Sequence, residues 1–216
     1  MGNVKPEQLL LYAVTDSTWL NGRSLPDCVR AAIEAGVTFV QLREKYASFA
    51  QKVELARAIV PICRAAGVPF VIDDDVDVAL AAGADGVHVG QDDLACAEAR
   101  RLLGPHAIVG VSAHNVAEAL AAQAQGADYL GSGALVATST KSDVTPLPPD
   151  GLAAICAAVD IPVVGIGGLN ASNIPQFKGL GCAGAAVVSA IFAADDIATA
   201  TRELREVCDN TFGGRL

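Results

Sequence analysis

The chain has no long, uncharged apolar segment. The nearest to one, residues 182–194, contains Gly184 and Ser189 and is followed by two aspartates. It therefore does not provide the roughly 18 apolar residues that a membrane-spanning helix needs. Residues 1–14 contain one lysine and a short leucine run, which is too little for a signal peptide. We expect a cytoplasmic protein that does not associate with membranes.

Basic residues are also scarce. The chain has 15 lysines and arginines against 24 acidic residues, which gives a net charge of −9. Binding to nucleic acid without sequence preference depends on neutralising phosphates, so this composition disfavours a nucleic-acid partner. An anionic ligand would have to be held by a local cluster of cations and hydrogen-bond donors.

The six cysteines include no Cys-x-x-Cys pair and lie far apart in the sequence. This spacing disfavours a zinc site or a dithiol redox motif. Most of them fall within apolar helical patterns, where a thiol packs like a small hydrophobic side chain. The sequence also contains no evident serine–histidine–acid set and no metal-binding histidine cluster. Chemistry that needs a protein nucleophile is therefore not indicated.

Short apolar segments rich in β-branched residues alternate eight times with alanine-rich helical patterns, which is typical of parallel strands joined by helices. The predicted strands are Leu11–Thr15, Thr38–Leu42, Val68–Ile72, Gly86–Val89, Ala107–Val111, Asp128–Gly131, Ile161–Ile166 and Gly184–Val188. The predicted helices cover residues 25–35, 48–66, 76–82, 94–103, 115–125, 149–158, 172–179 and 194–208.

Eight such units predict a single (β/α)8 barrel of the α/β class. The length of 216 residues and the 52% apolar composition fit one domain, residues 1–216, of which residues 210–216 are predicted to be a flexible tail. A doubly wound open sheet is the alternative. It would use fewer strands and a glycine-rich turn after the first strand, where this chain has Val14–Ser17.

In such a barrel the ligand site lies at the carboxyl ends of the strands. After the second strand, period-two alternation places Gln41, Arg43 and Lys45 on one side. Two cations and an amide at a barrel mouth suit an anion such as pyrophosphate, although a solvated charged loop is the alternative. Ser112, after the fifth strand, could donate a hydrogen bond to a phosphate oxygen.

Carboxylates follow the third and fourth strands, at Asp73–Asp75 and at Asp92 and Asp93. One carboxylate from each group could share Mg²⁺, which takes one or two carboxylates and completes its shell with phosphate oxygens and water. Helix capping is the alternative for Asp75 or Asp92. His88, within the fourth strand, could either pack in the barrel or contact a ligand.

The last three loops carry groups that suit phosphate. Thr138, Thr140 and Lys141 follow the sixth strand, and Gly167 and Gly168 follow the seventh. Glycine turns and helix starts present backbone N–H groups to anions, and the loops after strands 7 and 8 commonly bind phosphate in these barrels. The residues therefore predict two anion sites beside one Mg²⁺ site.

Together the motifs resemble the thiamin phosphate synthase family. The resemblance covers almost the whole chain and is carried, in order, by Leu11–Asp16, Gln41–Lys45, Gly86–Leu94, Thr138–Lys141, Ile166–Gly168 and Val187–Ser189. It implies that 4-amino-2-methyl-5-hydroxymethylpyrimidine diphosphate is joined to 4-methyl-5-(2-hydroxyethyl)thiazole phosphate with release of pyrophosphate. It also implies that the carbon–oxygen bond breaks first, with Mg²⁺ as cofactor, so that no protein nucleophile is needed.

The resemblance also implies residue roles. The pyrimidine diphosphate would be held by Gln41, Arg43, Lys45, Ser112 and Lys141. Mg²⁺ would be held by Asp74 and Asp93. The thiazole phosphate would be held by Thr138, Thr140, Gly168, Val188 and Ser189. By position, Asp73 and His88 are added as substrate-binding residues.

Two departures from the family pattern stand out. Asp73 occupies a position where the family usually has asparagine, so it could either contact the metal or repel the diphosphate. Residues 133–137 lack the usual prolines and aromatic residue. Two other functions stay open: a thiazole tautomerase, whose catalytic histidine would stand at Ala134, and a phosphate-binding barrel without turnover. The sequence also leaves open a homodimer, and a lid formed by residues 16–24 or, preferably, 142–149.

Overall fold

Eight parallel strands form a closed barrel in the order of the chain, β1 to β8, with β8 pairing back onto β1. The computed structural model describes residues 3–136 and 146–213. The strands are β1 Leu11–Val14, β2 Phe39–Leu42, β3 Phe70–Asp73, β4 Gly86–Val89, β5 Ile108–Ser112, β6 Tyr129–Ser132, β7 Val163–Ile166 and β8 Gly184–Val187. The predicted (β/α)8 barrel is confirmed.

The helices lie outside the barrel. They are α1 Leu25–Glu34, α2 Phe49–Ala66, α3 Val76–Ala82, α4 Cys96–Leu103, α5 Val116–Ala124, α6 Pro149–Ala158, α7 Ser189–Phe192 and α8 Ile197–Phe212. Short 3₁₀ turns cover Pro6–Leu9, Ser17–Trp19 and Ile174–Phe177. In the described part of the chain, no helix combines the length and the apolar character that crossing a membrane would require.

Local sequence signals fix the helix ends. Ser48 caps α2 by accepting a hydrogen bond from the N–H of Gln51, and Asn115 caps α5 by accepting one from the N–H of Glu118. Gly67 and Gly83 end α2 and α3 with φ of 66° and 71°, the left-handed conformation that glycine adopts without steric cost. These ends turn the chain back toward the next strand.

Two apolar layers hold the barrel together. One lies between the sheet and the helices. The other fills the barrel interior, where Tyr12, Phe39 and Tyr129 are almost completely buried and their rings lie 4.6–6.0 Å apart. Tilted and edge-on aromatic contacts of this kind are favourable. This interior layer closes the barrel below its carboxyl-terminal mouth.

The structure differs from the sequence predictions mainly after β7. Residues 172–179 contain the 3₁₀ turn Ile174–Phe177 and no α-helix, and α7 was not predicted because four residues are too few for a periodic pattern. The predicted tail also begins too early. Helix α8 continues to Phe212, which is 7% exposed, since its buried ring anchors the last turn.

Candidate functional site

A cavity of about 150 Å³ opens at the carboxyl ends of the strands. It brings together most of the residues that were predicted for the site. Its lining includes Gln41, Arg43, Asp73, His88, Ser112, Gly168, Val188 and Ser189. These residues follow or belong to six different strands, so the closed barrel, and no single loop, assembles the site.

Arg43 lies between two carboxylates at the edge of the cavity. Its guanidinium is 3.6 Å from Asp16 Oδ2 and 3.7 Å from Asp73 Oδ2, and the side chain is 12% exposed. The backbone N–H of Arg43 donates to Thr15 Oγ1, which in turn donates to Glu44. The position of the arginine is therefore fixed, with its guanidinium at the cavity wall.

Gln41 presents an unusual donor to the cavity. The side chain is 3% exposed, and its Nε2 atom is buried without a hydrogen-bond partner among the residues that the structure describes. A buried donor without a partner costs about 1–3 kcal/mol. The cost would be removed by a ligand that accepts a hydrogen bond from this amide.

Asp74 and Asp93 meet beside the cavity, as the sequence predicted. Asp74 has φ of 62°, and its N–H donates to the carbonyl of His88. Partial desolvation, then the negative charge of Asp73, then a hydrogen bond with Asp93 raise the pKa of Asp74 from 3.8 to about 7. The N–H of Gly90 donates to Asp93 Oδ2 at 2.8 Å. Lys45 offsets part of the shift.

The acidic pair fits the Mg²⁺ that the resemblance implies. Within the described ranges, no cluster of three or more histidine, cysteine, aspartate or glutamate side chains could hold a metal. Mg²⁺ does not need one, because it is held by one or two carboxylates together with substrate phosphates and water. Two neighbouring carboxyl groups, one of them with a pKa raised by the negative charge around it, are suitable ligands for a divalent cation.

Asp75 has a structural role. It caps α3 by accepting a hydrogen bond from the N–H of Val78, and its Oδ2 lies 3.4 Å from Lys52 Nζ. The capping interpretation is therefore correct for Asp75.

His88 and Ser112 form the floor of the cavity. His88 Nε2 lies 3.0 Å from Ser112 Oγ, and His88 Nδ1 lies 2.9 Å from the hydroxyl of Tyr129. His88 is 8% exposed. The ring is packed in the barrel, as one of the two interpretations has it, and it also lines the cavity, where a ligand contact stays a prediction. His114 is exposed and pairs with Glu118.

The cavity wall after β7 is a glycine turn. Gly167 and Gly168 have φ of 98° and 67°, and a Cβ on Gly167 would lie 2.6 Å from Ala134. Only glycine fits this close approach. Val188 and Ser189, at the start of α7, line the same cavity. The turn and the helix start present backbone groups to a ligand, which suits phosphate.

Some predicted residues lie elsewhere. Thr138, Thr140 and Lys141 lie outside the described residues, as does the first half of the preferred lid, residues 142–145. Lys45 lines a second, larger groove of about 850 Å³, between the turn after β1 and the start of α2. Arg43 lines both spaces, but Gln41 and Ser112 line only the smaller cavity. Most of the predicted site residues that the structure describes therefore line the smaller cavity.

Comparisons with known proteins agree with this geometry. The family model described as thiamine monophosphate synthase matches residues 11–191. The chain belongs to this family. A thiamine-phosphate synthase of Chloroflexus aurantiacus is 52% identical over 202 residues, covering 93% of each chain. The solved structure of a thiamine phosphate pyrophosphorylase from Pyrococcus furiosus superposes with a TM-score of 0.88 at 37% identity, covering 96% of this chain and 99% of that one.

The match also extends to part of a longer protein. A probable thiamine biosynthetic bifunctional enzyme of Oryza sativa subsp. japonica is 49% identical over 214 residues, which are 96% of this chain and 39% of that protein. As a member of the thiamine monophosphate synthase family, the chain is an enzyme, a transferase of thiamine biosynthesis acting on small molecules.

Sequence reasoning missed two features of the candidate site. Asp16 is a partner of Arg43, and its position two residues beyond β1 was a usable signal. Tyr129 contacts His88 from inside the barrel, and alternation in β6 with Gly131 could have placed it there. Neither residue is assigned a role from the sequence because each pair joins different strands, and which side chains meet follows only from the register of the barrel.

Proposed function

We propose that the chain joins 4-amino-2-methyl-5-hydroxymethylpyrimidine diphosphate to 4-methyl-5-(2-hydroxyethyl)thiazole phosphate, giving thiamin phosphate and pyrophosphate. The observation that carries this proposal is the single cavity lined both by Arg43 and Ser112 and by the Gly168–Ser189 wall. Two anions can be held in one space there, and Nε2 of Gln41, which is buried without a partner among the described residues, can donate to the polar edge of a heterocycle.

The proposed reaction is dissociative. The carbon–oxygen bond to the diphosphate breaks, and its electron pair leaves with the pyrophosphate. The pyrimidine-stabilised cation is then attacked by the thiazole nitrogen, which forms the carbon–nitrogen bond. No general base or protein nucleophile is required, so positioning and charge stabilisation are sufficient.

In this mechanism each part of the site has one task. Arg43 and Ser112 stabilise negative charge on the departing pyrophosphate, together with Lys45 and Lys141. Gln41 and His88 orient the pyrimidine, while Gly168, Val188 and Ser189 hold the thiazole phosphate. Apolar wall residues, among them Val14 and Leu169, keep water away from the cation. When bound by Asp74 and Asp93, Mg²⁺ would supply further charge neutralisation for the leaving group.

A thiazole tautomerase is disfavoured by one observation. Ala134 lines the cavity at the position where the tautomerase histidine would stand, and a methyl group cannot transfer a proton. The enzyme and a barrel that binds the same ligands without turnover are distinguished by an assay of product formation.

The test is an omission experiment with purified protein in Mg²⁺. We expect thiamin phosphate and pyrophosphate in equal amounts when both substrates are present, and no thiamin phosphate when either is omitted. Binding of both substrates without product would indicate the binding protein. Altered thiazole phosphate without the pyrimidine would indicate the tautomerase.

Asp73 offers a separate prediction. Because its carboxylate lies 3.7 Å from Arg43 Nε, it competes with the diphosphate for the guanidinium. We expect Asp73→Asn to tighten binding of the pyrimidine diphosphate about fivefold, since such ion pairs contribute up to about 1 kcal/mol. Calorimetric titration at fixed Mg²⁺ measures the effect. Weaker binding together with a higher Mg²⁺ requirement would instead assign Asp73 to the metal.

A further inference from the structure

A chain of hydrogen bonds runs from the barrel interior to the cavity. The hydroxyl oxygens of Tyr12 and Tyr129 are 2.8 Å apart, the Tyr129 hydroxyl is 2.9 Å from His88 Nδ1, and His88 Nε2 is 3.0 Å from Ser112 Oγ. Of these four hydrogen-bonded residues, only His88 and Ser112 line the cavity. The two tyrosines lie below it and are 2% exposed or less. The proposed mechanism gives them no task.

Two glycines make room for this chain. A Cβ on Gly110 would lie 2.2 Å from the ring of Tyr129, and a Cβ on Gly131 would lie 3.1 Å from Cε1 of His88. Contacts below 3.0 Å essentially never occur for a real Cβ. Glycine at position 110 is therefore required by the ring of Tyr129, while a Cβ at position 131 would press tightly on the ring of His88.

The need to satisfy every buried proton gives the chain a direction. Over residues 3–136 and 146–213, the hydroxyl of Tyr12 has one hydrogen-bond partner, the hydroxyl of Tyr129. Tyr12 must therefore donate, because otherwise its buried proton has no acceptor. Among the described residues, the proton of Tyr129 then has one remaining acceptor, Nδ1 of His88.

This direction continues to the cavity. With Nδ1 accepting, neutral His88 carries its proton on Nε2 and donates to Ser112 Oγ. The opposite tautomer would have Nδ1 donate to Tyr129, which would leave the Tyr129 proton buried and without an acceptor. Burial raises the pKa of both Tyr12 and Tyr129, so both hydroxyls keep their protons.

We propose that Tyr129 is a positioning residue, which sets the tautomer of His88 and thereby leaves the Ser112 hydroxyl free to donate its proton to an anion in the cavity. The identity of that anion, the diphosphate of the pyrimidine substrate, rests on the proposed function. The direction of the chain does not, because it follows from the protein's own hydrogen bonds.

The first test is the tautomer of His88. The protein contains three histidines, so ¹⁵N-histidine spectra can be assigned by replacing His106 and His114 with glutamine. At neutral to mildly basic pH we expect the Nε2–H tautomer in the otherwise unchanged protein and a mixture in Tyr129→Phe. Tyr12→Phe is the matched control. It removes a hydroxyl from the same chain but leaves the Tyr129 proton directed at His88, so the Nε2–H tautomer should persist.

The second test is a double-mutant cycle on binding of inorganic pyrophosphate with Mg²⁺. We expect Tyr129→Phe to weaken binding about fivefold and Ser112→Ala about tenfold, as for loss of a hydrogen bond to a charged group. The double variant should bind as Ser112→Ala does, because Tyr129 acts only through that hydroxyl. A purely structural role of Tyr129 would make the two losses multiply.

The outcomes separate this inference from the proposed function. Three results would each overturn the role of Tyr129. The first is an Nδ1–H tautomer of His88 in the protein with both tyrosines intact, and the second is an equal effect of Tyr12→Phe and Tyr129→Phe on that tautomer. The third is a double variant whose loss of pyrophosphate affinity equals the product of the two single losses. If Ser112→Ala left pyrophosphate binding unchanged, the assignment of Ser112 to the diphosphate would be wrong, and the tautomer would still test the direction of the chain.

Discussion

Asp74→Asn is expected to lower the rate of thiamin phosphate formation by on the order of 10³-fold without unfolding the protein. Charge stabilisation by a bound metal contributes several kcal/mol, and each factor of ten in rate corresponds to about 1.4 kcal/mol. Asparagine is the appropriate replacement because Asp74 has φ of 62°, a conformation that asparagine tolerates and alanine does not. Steady-state rates across a Mg²⁺ titration measure the loss.

The same substitution should stabilise the metal-free protein. The pKa of Asp74 is raised from 3.8 to about 7 in the folded protein. Ionisation of this group therefore destabilises the folded state once the pH rises above the pKa that Asp74 has in the unfolded protein. In EDTA, Asp74→Asn should therefore melt at a higher temperature than the unchanged protein above pH 7 and at nearly the same temperature at pH 4. Asp77→Asn, an exposed change of the same charge on α3, is the control. Full activity in Asp74→Asn would contradict the metal assignment.

Arg43→Lys is expected to lower kcat/KM for the pyrimidine diphosphate by roughly 10- to 100-fold, with little change in binding of the thiazole phosphate. Lysine keeps the positive charge between Asp16 and Asp73, so the fold should be preserved. It cannot reproduce the planar pair of N–H groups that arginine offers to phosphate oxygens. Kinetics with each substrate varied in turn measure the effect.

A surface arginine provides the comparison for this change. Arg30 is exposed on α1, so Arg30→Lys should leave both substrates unaffected. If Arg43→Lys weakened the two substrates equally, Arg43 would not distinguish the diphosphate from the thiazole phosphate. The assignment of the two anions to different parts of the cavity would then be incorrect.

Much of the barrel could be predicted from the sequence because its signals are local. Glycine at the helix ends, such as Gly67 and Gly83, and capping residues such as Ser48 act within a few residues of one another. The site could also be predicted in outline, since a closed parallel barrel brings the residues after every strand to one mouth. Gln41, Arg43 and Ser112 meet there for that reason.

What could not be predicted depends on contacts across the barrel. The pairing of Arg43 with Asp73 decides how the aspartate acts, yet the two residues belong to different strands and their distance follows only from the register. The donor direction in the hydrogen bonds Tyr12–Tyr129–His88 likewise depends on contacts across the barrel, because only the Tyr129 hydroxyl has both neighbours as partners. Sequence patterns describe which face a residue occupies, and they do not describe its partners.

The most direct measurement of the central claim is thiamin phosphate formation from the two substrates, with product and pyrophosphate quantified in Mg²⁺ and again in EDTA. We predict equal amounts of both products in Mg²⁺, none in EDTA, and recovery when Mg²⁺ is restored in excess. Undiminished synthesis in EDTA would contradict the metal-assisted departure of pyrophosphate. Tight binding of both substrates with no product under any condition would contradict the enzyme itself.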